Sequence, residues 1–313
     1  MCPQHRHAAG LRHDGAMSST PRLVVDVEVM LANLERAAAL AVDRGFALRP
    51  HVKTHKSPEI ARLQVGAGAT GITVATIGEA EVFARAGLDD ILIAYPLWID
   101  DSAVARLRVL AETVRLSIGC DSLESVRALP VGLAALLVEV DCGHHRSGVA
   151  ACDAGQLAAR LVAAGHVVRG ALTFPGHSYA PGVASAVAAE EAQALVEAGE
   201  AMAAAGVAAT ELSGGSTPSL AFADSRLTEY RPGVYVFNDA QQWELGVCMP
   251  DQVALTCHAR VVSRRADRVV LDSGSKVLGA DRAPYASGGG RLLDYPEARV
   301  IQLSEHHAVV TAP

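Results

Sequence analysis

The sequence predicts an α/β fold, namely a (β/α)8 barrel followed by a smaller all-β domain. From residue 28, short runs rich in Val, Ile and Leu alternate with Ala- and Leu-rich amphipathic stretches. Such near-continuous apolar strands between helices are typical of a parallel sheet covered on both faces. Eight units follow one another in about 210 residues, which favours a closed barrel over an open doubly wound sheet. After residue 245, strand-like segments succeed each other without helices, and this indicates a separate β-domain.

The barrel strands are predicted at 47–52, 71–76, 90–95, 115–119, 134–140, 167–174, 211–213 and 229–237. The clearest helices between them are 28–44, 79–86, 101–112, 153–164 and 184–204. A further helix is expected after Ser57-Pro58-Glu59, because Ser is a good N-cap and Pro suits the first helical position. The β-domain strands fall within 253–264, 268–276 and 298–310, with a turn at 265–267.

These elements predict the domain organisation. Residues 28–244 form the cofactor-binding barrel, and residues 21–27 join 245–313 in the β-domain. Residues 1–20 contain no apolar segment of a signal peptide and are expected to form a disordered tail. Because the sequence stops at Pro313, directly after a strand-like run, we expect the β-domain to be incomplete at its C-terminus.

Composition excludes several classes of function. Only 19% of the 313 residues are charged, the net charge is −7, and no basic stripe could neutralise nucleic-acid phosphates. No apolar run reaches the ~18 residues that a membrane helix needs. The six cysteines form no CxxC pair, a spacing typical of free thiols in a reducing compartment. We therefore expect a cytoplasmic protein.

One lysine stands out at the end of the first predicted strand, RPHVKTHK. Lys53 is the last residue of that strand, where burial is unfavourable unless the amine is paired or used covalently. A low dielectric lowers the pKa of a lysine and makes it a nucleophile and a base. Lys56 lies in the loop beyond. A salt bridge is the structural alternative for Lys53.

A glycine-rich turn, SGGSTPS, follows the seventh strand. Backbone N–H groups of Gly214 and Gly215 and the hydroxyls of Ser216 and Thr217 could cradle a phosphate. Barrels commonly bind phosphate after strands seven and eight, and Gly233 in strand eight could supply another N–H donor. A phosphate-bearing cofactor facing a strand-one lysine points to pyridoxal 5'-phosphate (PLP).

Two more strand ends carry candidate residues. In VDCGHHRSGV, Asp141 and Arg146 suit the binding of an anionic oxygen, and a structural Asp–Arg pair is the alternative. In TFPGHSY, His177 and Tyr179 suit an acid/base and a phenol donor, and a hydrogen-bonded surface histidine is the alternative. The adjacent histidines of GHHR are interpreted as loop residues.

Six segments together resemble a known family: RPHVKTHKSPEIARLQ, TVATIGEAE, DILIAYPLW, VDCGHHRSGV, SGGSTPS and RPGVYVFND. They are similar, in this order, to the D-serine dehydratase and D-threonine aldolase group of alanine-racemase-like, fold-type III PLP enzymes. The resemblance implies that Lys53 is the Schiff-base lysine and that Arg146 lies near the phenolic oxygen of PLP. It also implies a homodimer. The remaining implied residues are Gly214, Gly215, Ser216 and Thr217 around the phosphate, and His177, Tyr179 and Tyr235 lining the pocket. Arg231 matches the arginine that faces the pyridine nitrogen in alanine racemases, and the residue with that role in this branch stays open.

The resemblance also implies an activity. Family members carry an HxC or HxD pair in the β-domain that binds a divalent metal, Zn or Mn. No such pair precedes Pro313, so we expect no metal ligands within this chain. TVATIGEAE and DILIAYPL favour a dehydratase acting on a D-3-hydroxy amino acid such as D-serine or D-threonine. D-threonine aldolase is the alternative, and an amino-acid racemase or a non-catalytic PLP carrier are further alternatives.

Overall fold

The computed structural model describes residues 19–311. The tail predicted for residues 1–20 lies outside the described residues except for its last two positions. The described chain divides into two compact units. The first comprises Val25–Leu255 and Arg282–Ser287; the second comprises the preceding residues up to Val24, Thr256–Asp281 and the residues from Gly288 onward.

The first unit consists of alternating strands and helices after strand β1 (Arg22–Val25). Its strands are β2 (Ala47–Leu48), β3 (Ile72–Val74), β4 (Asp90–Ile93), β5 (Arg115–Cys120), β6 (Ala135–Glu139), β7 (Val168–Leu172), β8 (Glu211–Gly214) and β9 (Glu229–Tyr230). Its helices are α1 (Val27–Arg44), α2 (Pro58–Gly66), α3 (Ile77–Arg85), α4 (Asp101–Ala111), α5 (Ala154–Ala163), α6 (Ala184–Ala204) and α7 (Ala240–Glu244). Helix α2 begins as predicted, with the Ser57 hydroxyl accepting the Ile60 N–H.

The eight strands β2 to β9 form one parallel sheet in the order β2-β9-β8-β7-β6-β5-β4-β3. A parallel bridge between His51 and Thr73 joins the two ends of this order. The Thr73 N–H donates to the carbonyl of Pro50 at 2.8 Å. The predicted eight-stranded barrel is therefore confirmed.

Several strands are shorter than predicted. Strand β2 ends at Leu48 rather than at residue 52, because Pro50 follows and cannot donate to a ladder. Val52–Thr54 then forms a 3-10 turn, so Lys53 lies just beyond the strand and not at its end. Strand β9 likewise ends before a proline, and Val234–Val236 forms another 3-10 turn. Between β5 and β6, residues 121–134 are all described and form turns instead of an α-helix.

Part of the barrel interior is charged rather than apolar. The Arg49 guanidinium donates to Asp90 at 2.7 Å and to Glu229 at 2.6 Å, and all three side chains are at most 7% exposed. The Ser213 hydroxyl donates to Glu229 at 2.7 Å and accepts from Arg231 at 2.8 Å. A continuous hydrogen-bonded chain thus runs from Asp90 at the start of β4 to Arg231.

The second unit is an antiparallel β-domain. Its strands are β10 (Leu255–His258), β11 (Val261–Arg264), β12 (Arg268–Leu271), β13 (Val300–Leu303) and β14 (Ala308–Thr311). Strand β1 pairs with β10, and the other four form a sheet in the order β11-β12-β14-β13. Arg265 N–H donates to the Arg268 carbonyl and closes the predicted turn. The one-turn helix α8 (Ser275–Leu278) was not predicted.

Two further findings concern the described residues. Among residues 19–311, no helix is both long and apolar enough to cross a membrane. The five cysteines within this range are free thiols.

Candidate active site

Two cationic side chains converge on one aromatic ring at the carboxyl ends of the barrel strands. The Lys53 Nζ lies 5.5 Å from the centroid of the Phe174 ring, and the Arg146 Cζ lies 5.1 Å from it. Lys53 comes from the turn after β2, Phe174 follows β7, and Arg146 lies in the loop after β6. The electron-rich face of an aromatic ring attracts such cations. The lysine and the arginine that the sequence singled out are therefore brought to one place.

The environment of Lys53 favours its neutral amine. Burial against the barrel mouth lowers the pKa of Lys53, and the positive charges of Arg146 and Arg231 lower it further, while Glu79 opposes the shift. By its surface area Lys53 is nevertheless exposed, so a ligand can approach its amine. Lys56 instead forms the salt bridge, with Glu79 at 3.2 Å, and its side chain is 66% exposed. In the described part of the chain, no ion pair occupies Lys53.

A neutral histidine neighbours the lysine. The His51 Nδ1 lies 3.5 Å from the backbone nitrogen of Lys53. Burial lowers the pKa of His51 well below its usual value, and the charges of Lys53 and Arg231 add to this effect. The uncharged ring can accept a hydrogen bond without adding a positive charge. His51 was not predicted as a site residue; its position two residues before Lys53 was the available signal.

A small pocket lies beside the aromatic ring, lined by Glu139, Val140, Asp141, His144, Arg146, Ser147 and Phe174. Glu139 ends β6 and is 4% exposed. Its Oε1 accepts from the Ser147 hydroxyl at 2.6 Å, whereas its Oε2 is buried without a partner. Burial raises the pKa of Glu139. Glu139 was not predicted as a site residue, although a carboxylate inside the apolar run AALLVEV was a visible signal.

The pairing of Asp141 differs from the alternative considered for it. Its carboxylate accepts from the His145 ring at 2.7 Å and from the backbone N–H groups of Gly143 and His145 at 2.9 Å. Asp141 therefore stabilises its own loop and does not pair with Arg146. The guanidinium of Arg146 stays over the Phe174 ring.

The two histidines His144 and His177 are stacked, with ring centroids 6.4 Å apart and planes inclined by 14°. His144 also contacts Phe174 edge-on at 5.6 Å. The His177 Nε2 lies 3.0 Å from Glu190, and its Nδ1 is buried without a partner. His144, interpreted from sequence as a loop residue, thus contacts both the Phe174 ring and the His177 ring.

The glycine-rich turn after β8 is wholly buried from Ser213 to Leu220. The Gly215 N–H, predicted to face a phosphate, donates to the Glu191 carboxylate. The Ser216 N–H donates to the Ser219 hydroxyl at 3.0 Å, and the Ser216 hydroxyl lies 2.8 Å from that of Ser178. The turn is therefore held by its own protein partners.

Thr217 connects this turn to two predicted tyrosines. Its hydroxyl accepts the Tyr235 N–H at 3.1 Å. The Tyr179 phenol also hydrogen-bonds to Thr217, and burial raises the pKa of Tyr179 to about 12. The Tyr235 phenol oxygen, in contrast, accepts a hydrogen bond from the Gln64 amide of α2 at 3.0 Å, and Tyr235 does not line the small pocket beside Phe174.

Gly233 and Arg231 complete the set of predicted residues. A Cβ at Gly233 would lie 2.9 Å from the Thr54 hydroxyl and 3.1 Å from the His51 carbonyl, so only glycine lets this segment pack on the lysine turn. Arg231 is 6% exposed and donates to the Ser213 hydroxyl and to the Thr173 carbonyl. Burial lowers the pKa of Arg231.

Two protein families match successive parts of the chain. Residues 25–241 match the alanine racemase N-terminal domain, and residues 254–313 match a putative serine dehydratase domain. The chain belongs to the alanine racemase N-terminal domain family. The predicted resemblance to fold-type III PLP enzymes is thereby confirmed.

Within this family, named lyases are similar to the chain. D-threo-3-hydroxyaspartate dehydratase of a Delftia species is 38% identical over 280 residues, 84% of this chain and 73% of the relative. D-threonine aldolase of an Arthrobacter species is 32% identical over 321 residues, 94% and 80% of the two chains. D-serine dehydratase of Dictyostelium discoideum is 29% identical over 283 residues, 79% and 69% of the chains. The solved structure of the Delftia enzyme superposes with a TM-score of 0.83 at 30% identity, covering 94% of this chain and 84% of that chain.

The described residues do not form a metal site by themselves. Among residues 19–311, no group of three or more His, Cys, Asp and Glu side chains could hold a metal ion.

Proposed function

We propose that this protein is a PLP-dependent lyase that converts a D-3-hydroxy amino acid into a 2-oxo acid and ammonia. D-serine and D-threonine are the first candidate substrates. The observation that carries the proposal is the convergence of Lys53 and Arg146 on the Phe174 ring. The dehydratases among the relatives support the same reaction class.

The residues present fit PLP. Lys53 would hold the aldehyde carbon of PLP covalently, and Arg146 would supply positive charge to its phenolic oxygen. The hydroxyls of Ser216 and Thr217 and the backbone beyond Gly233 would hold the phosphate. The Glu139 Oε2 beside Arg146 is buried without a hydrogen-bond partner. Because buried polar atoms are normally paired, this atom indicates a place where a bound ligand would supply the partner. When bound, PLP supplies an electron sink for negative charge at the substrate Cα.

The chain's own residues would move the protons. Burial and the neighbouring positive charges lower the pKa of Lys53 from its usual value, and this favours its amine as the base that accepts the proton from Cα. His177, whose Nε2 is oriented by Glu190, would hold the proton for the leaving β-hydroxyl. Elimination releases one water and hydrolysis of the resulting enamine consumes one, so D-serine yields pyruvate and ammonia with no net change in water.

The test is a substrate panel with the PLP-loaded protein. We expect D-serine, D-threonine or D-threo-3-hydroxyaspartate to give a 2-oxo acid and equimolar ammonia, and the L-enantiomers to give none. The similarity to D-threonine aldolase makes an aldolase the second candidate. D-threonine would then give glycine and acetaldehyde. Appearance of the L-amino acid would indicate a racemase, and no turnover of any amino acid would indicate a PLP carrier.

His177→Ala is expected to keep the bound chromophore but to lower turnover by ~10²-fold or more, the usual contribution of a general acid/base. Chromophore and steady-state rate are measured on the same preparation. An unchanged rate would contradict the acid/base role and indicate that His177 is a surface histidine paired with Glu190.

Added Zn²⁺ or Mn²⁺ is expected to leave 2-oxo acid formation by the 313-residue chain unchanged, because the described residues offer no ligand cluster. The rate is compared after chelator treatment and after metal is restored. Metal-dependent recovery would contradict this expectation, and His306→Ala and His307→Ala would then test the first candidate ligands.

We further propose a cytoplasmic homodimer. The free cysteines of the described range support a reducing compartment, and the resemblance to fold-type III enzymes supports the dimer. Light scattering of the purified protein tests the oligomeric state.

A further inference from the structure

A fully buried carboxylate lies directly behind the glycine-rich turn. Glu191 on α6 has no solvent exposure. Its Oε1 accepts the Gly215 N–H, and its Oε2 lies 3.5 Å from the Ser219 hydroxyl. The proposed acid/base and Schiff-base steps make no use of this residue, and the sequence analysis did not select it.

The turn and the carboxylate are built to fit each other. A Cβ on Gly214 would overlap the Glu191 carboxylate, so glycine is required there for the carboxylate to enter. Ser219 also binds the Ser216 N–H and lies 2.9 Å from the Ser216 hydroxyl. Glu191 therefore sets the position of the backbone that offers the hydroxyls of the turn.

No cation neutralises Glu191 by direct contact in the described part of the chain. The positive charge of Arg231 acts on it, but the Arg231 donors bind Ser213 and Thr173. A buried carboxylate held only by neutral donors is easily protonated. Its charge, when present, acts through protein rather than water and is weakly screened.

We propose that Glu191 is a positioning residue that makes the phosphate affinity of this turn depend on its own protonation. The neutral acid holds the Gly215 N–H and leaves the turn receptive to a phosphate group. The carboxylate holds the same N–H but places a negative charge behind the phosphate and opposes its binding. This inference rests on the proposed function, because it takes the turn as the PLP phosphate site.

The direction of the pH dependence follows from the surroundings of Glu191. Burial raises its pKa to about 7, against hydrogen bonds from Gly215 and Ser219 and the charge of Arg231. The other titratable groups that face it are the Cys142 thiol after β6 and the Tyr230 phenol of β9. Below about pH 7 the neutral acid predominates, and above it the carboxylate does. The carboxylate form of Glu191 opposes phosphate binding, so the phosphate affinity of the turn is highest at low pH and falls as pH rises through about 7.

The test compares PLP binding to apoprotein variants at pH 6 and pH 8.5 by absorbance titration. Glu191→Gln keeps an acceptor for the Gly215 N–H but is neutral at both pH values. At pH 8.5 we expect Glu191→Gln to bind PLP roughly fivefold to tenfold more tightly than wild type, and the gain to vanish at pH 6. Glu197→Gln, an exposed glutamate on the same helix, is the matched control and should match wild type at both.

Phosphate-free pyridoxal separates the phosphate effect from other changes. Its affinity should be the same for wild type and Glu191→Gln at both pH values. Equal PLP affinities of the two proteins at pH 8.5, or an equal gain for pyridoxal, would overturn the inference. Failure of the wild type to bind PLP at all would instead overturn the proposed function.

A second measurement covers the case in which Glu191→Gln does not fold. Calorimetry of wild-type apoprotein with pyridoxine 5'-phosphate at pH 8, in two buffers of different ionisation enthalpy, reports protons taken up on binding. Because binding favours the neutral acid, we expect net uptake, and none with phosphate-free pyridoxine. No difference in proton uptake between the two ligands would overturn the inference.

Discussion

Lys53→Ala is expected to abolish the yellow, borohydride-reducible chromophore of the PLP-loaded protein and to lower lyase turnover below detection. The reason is that Lys53 supplies both the amine for covalent attachment and the base for Cα, and its lowered pKa suits both roles. Absorbance before and after borohydride treatment, followed by a peptide map of the reduced protein, provides the measurement.

Lys56→Ala is the matched control. Lys56 lies three residues away, but its ammonium is paired with Glu79 and mostly exposed. We expect its removal to leave the chromophore and its borohydride reduction intact. The opposite pattern, with label retained in Lys53→Ala and lost in Lys56→Ala, would show that the lysine has been wrongly assigned.

Glu229→Ala is expected to lower the free energy of unfolding by about 3–5 kcal/mol, the usual effect of removing one partner of a buried ion pair. Glu229 accepts from Arg49 at 2.6 Å and from Ser213 at 2.7 Å. Its loss would leave the guanidinium of Arg49 with Asp90 alone. It would also free the hydroxyl that orients Arg231. Urea unfolding followed by circular dichroism measures the change.

Glu124→Ala provides the comparison for this stability prediction. Glu124 also pairs with an arginine, Arg160 at 3.2 Å, but both side chains are at least half exposed. Solvent screening makes such surface pairs weak, so no shift of the unfolding midpoint is expected. A Glu229→Ala protein that unfolds at the wild-type urea concentration would show that the buried network contributes specificity rather than stability.

The repeating pattern of strands and helices could be predicted from the sequence because it depends on residues that are neighbours in the chain. Apolar runs and caps such as Ser57-Pro58 are determined by neighbouring residues, so the eight strands and the principal helices were found in order. Strand ends were less accurate. Pro50 and Pro232 interrupt the ladders, and the segments after them fold into 3-10 turns that place Lys53 and Gly233.

Only part of the candidate site could be predicted from the sequence. Lys53 and Arg146 stand next to strand ends in segments with a recognisable chemistry, and the structure brings them to one aromatic ring. Phe174 itself, at an equally visible strand end, was passed over because its chemistry is not evident without neighbours. The family comparisons confirm the fold and the PLP family; the individual residue roles remain predictions.

The sequence by itself determined the order of elements, the fold class and the residue types available at each strand end. The tertiary structure decided which donors are already used. Gly215 was expected to offer its N–H to a phosphate, but Glu191, 24 residues earlier in the chain, accepts it. Asp141 was weighed as a partner for Arg146, but the ring of His145 binds it. Hydrogen-bond partners depend on distances between side chains from different elements, and those distances exist only once the barrel has closed.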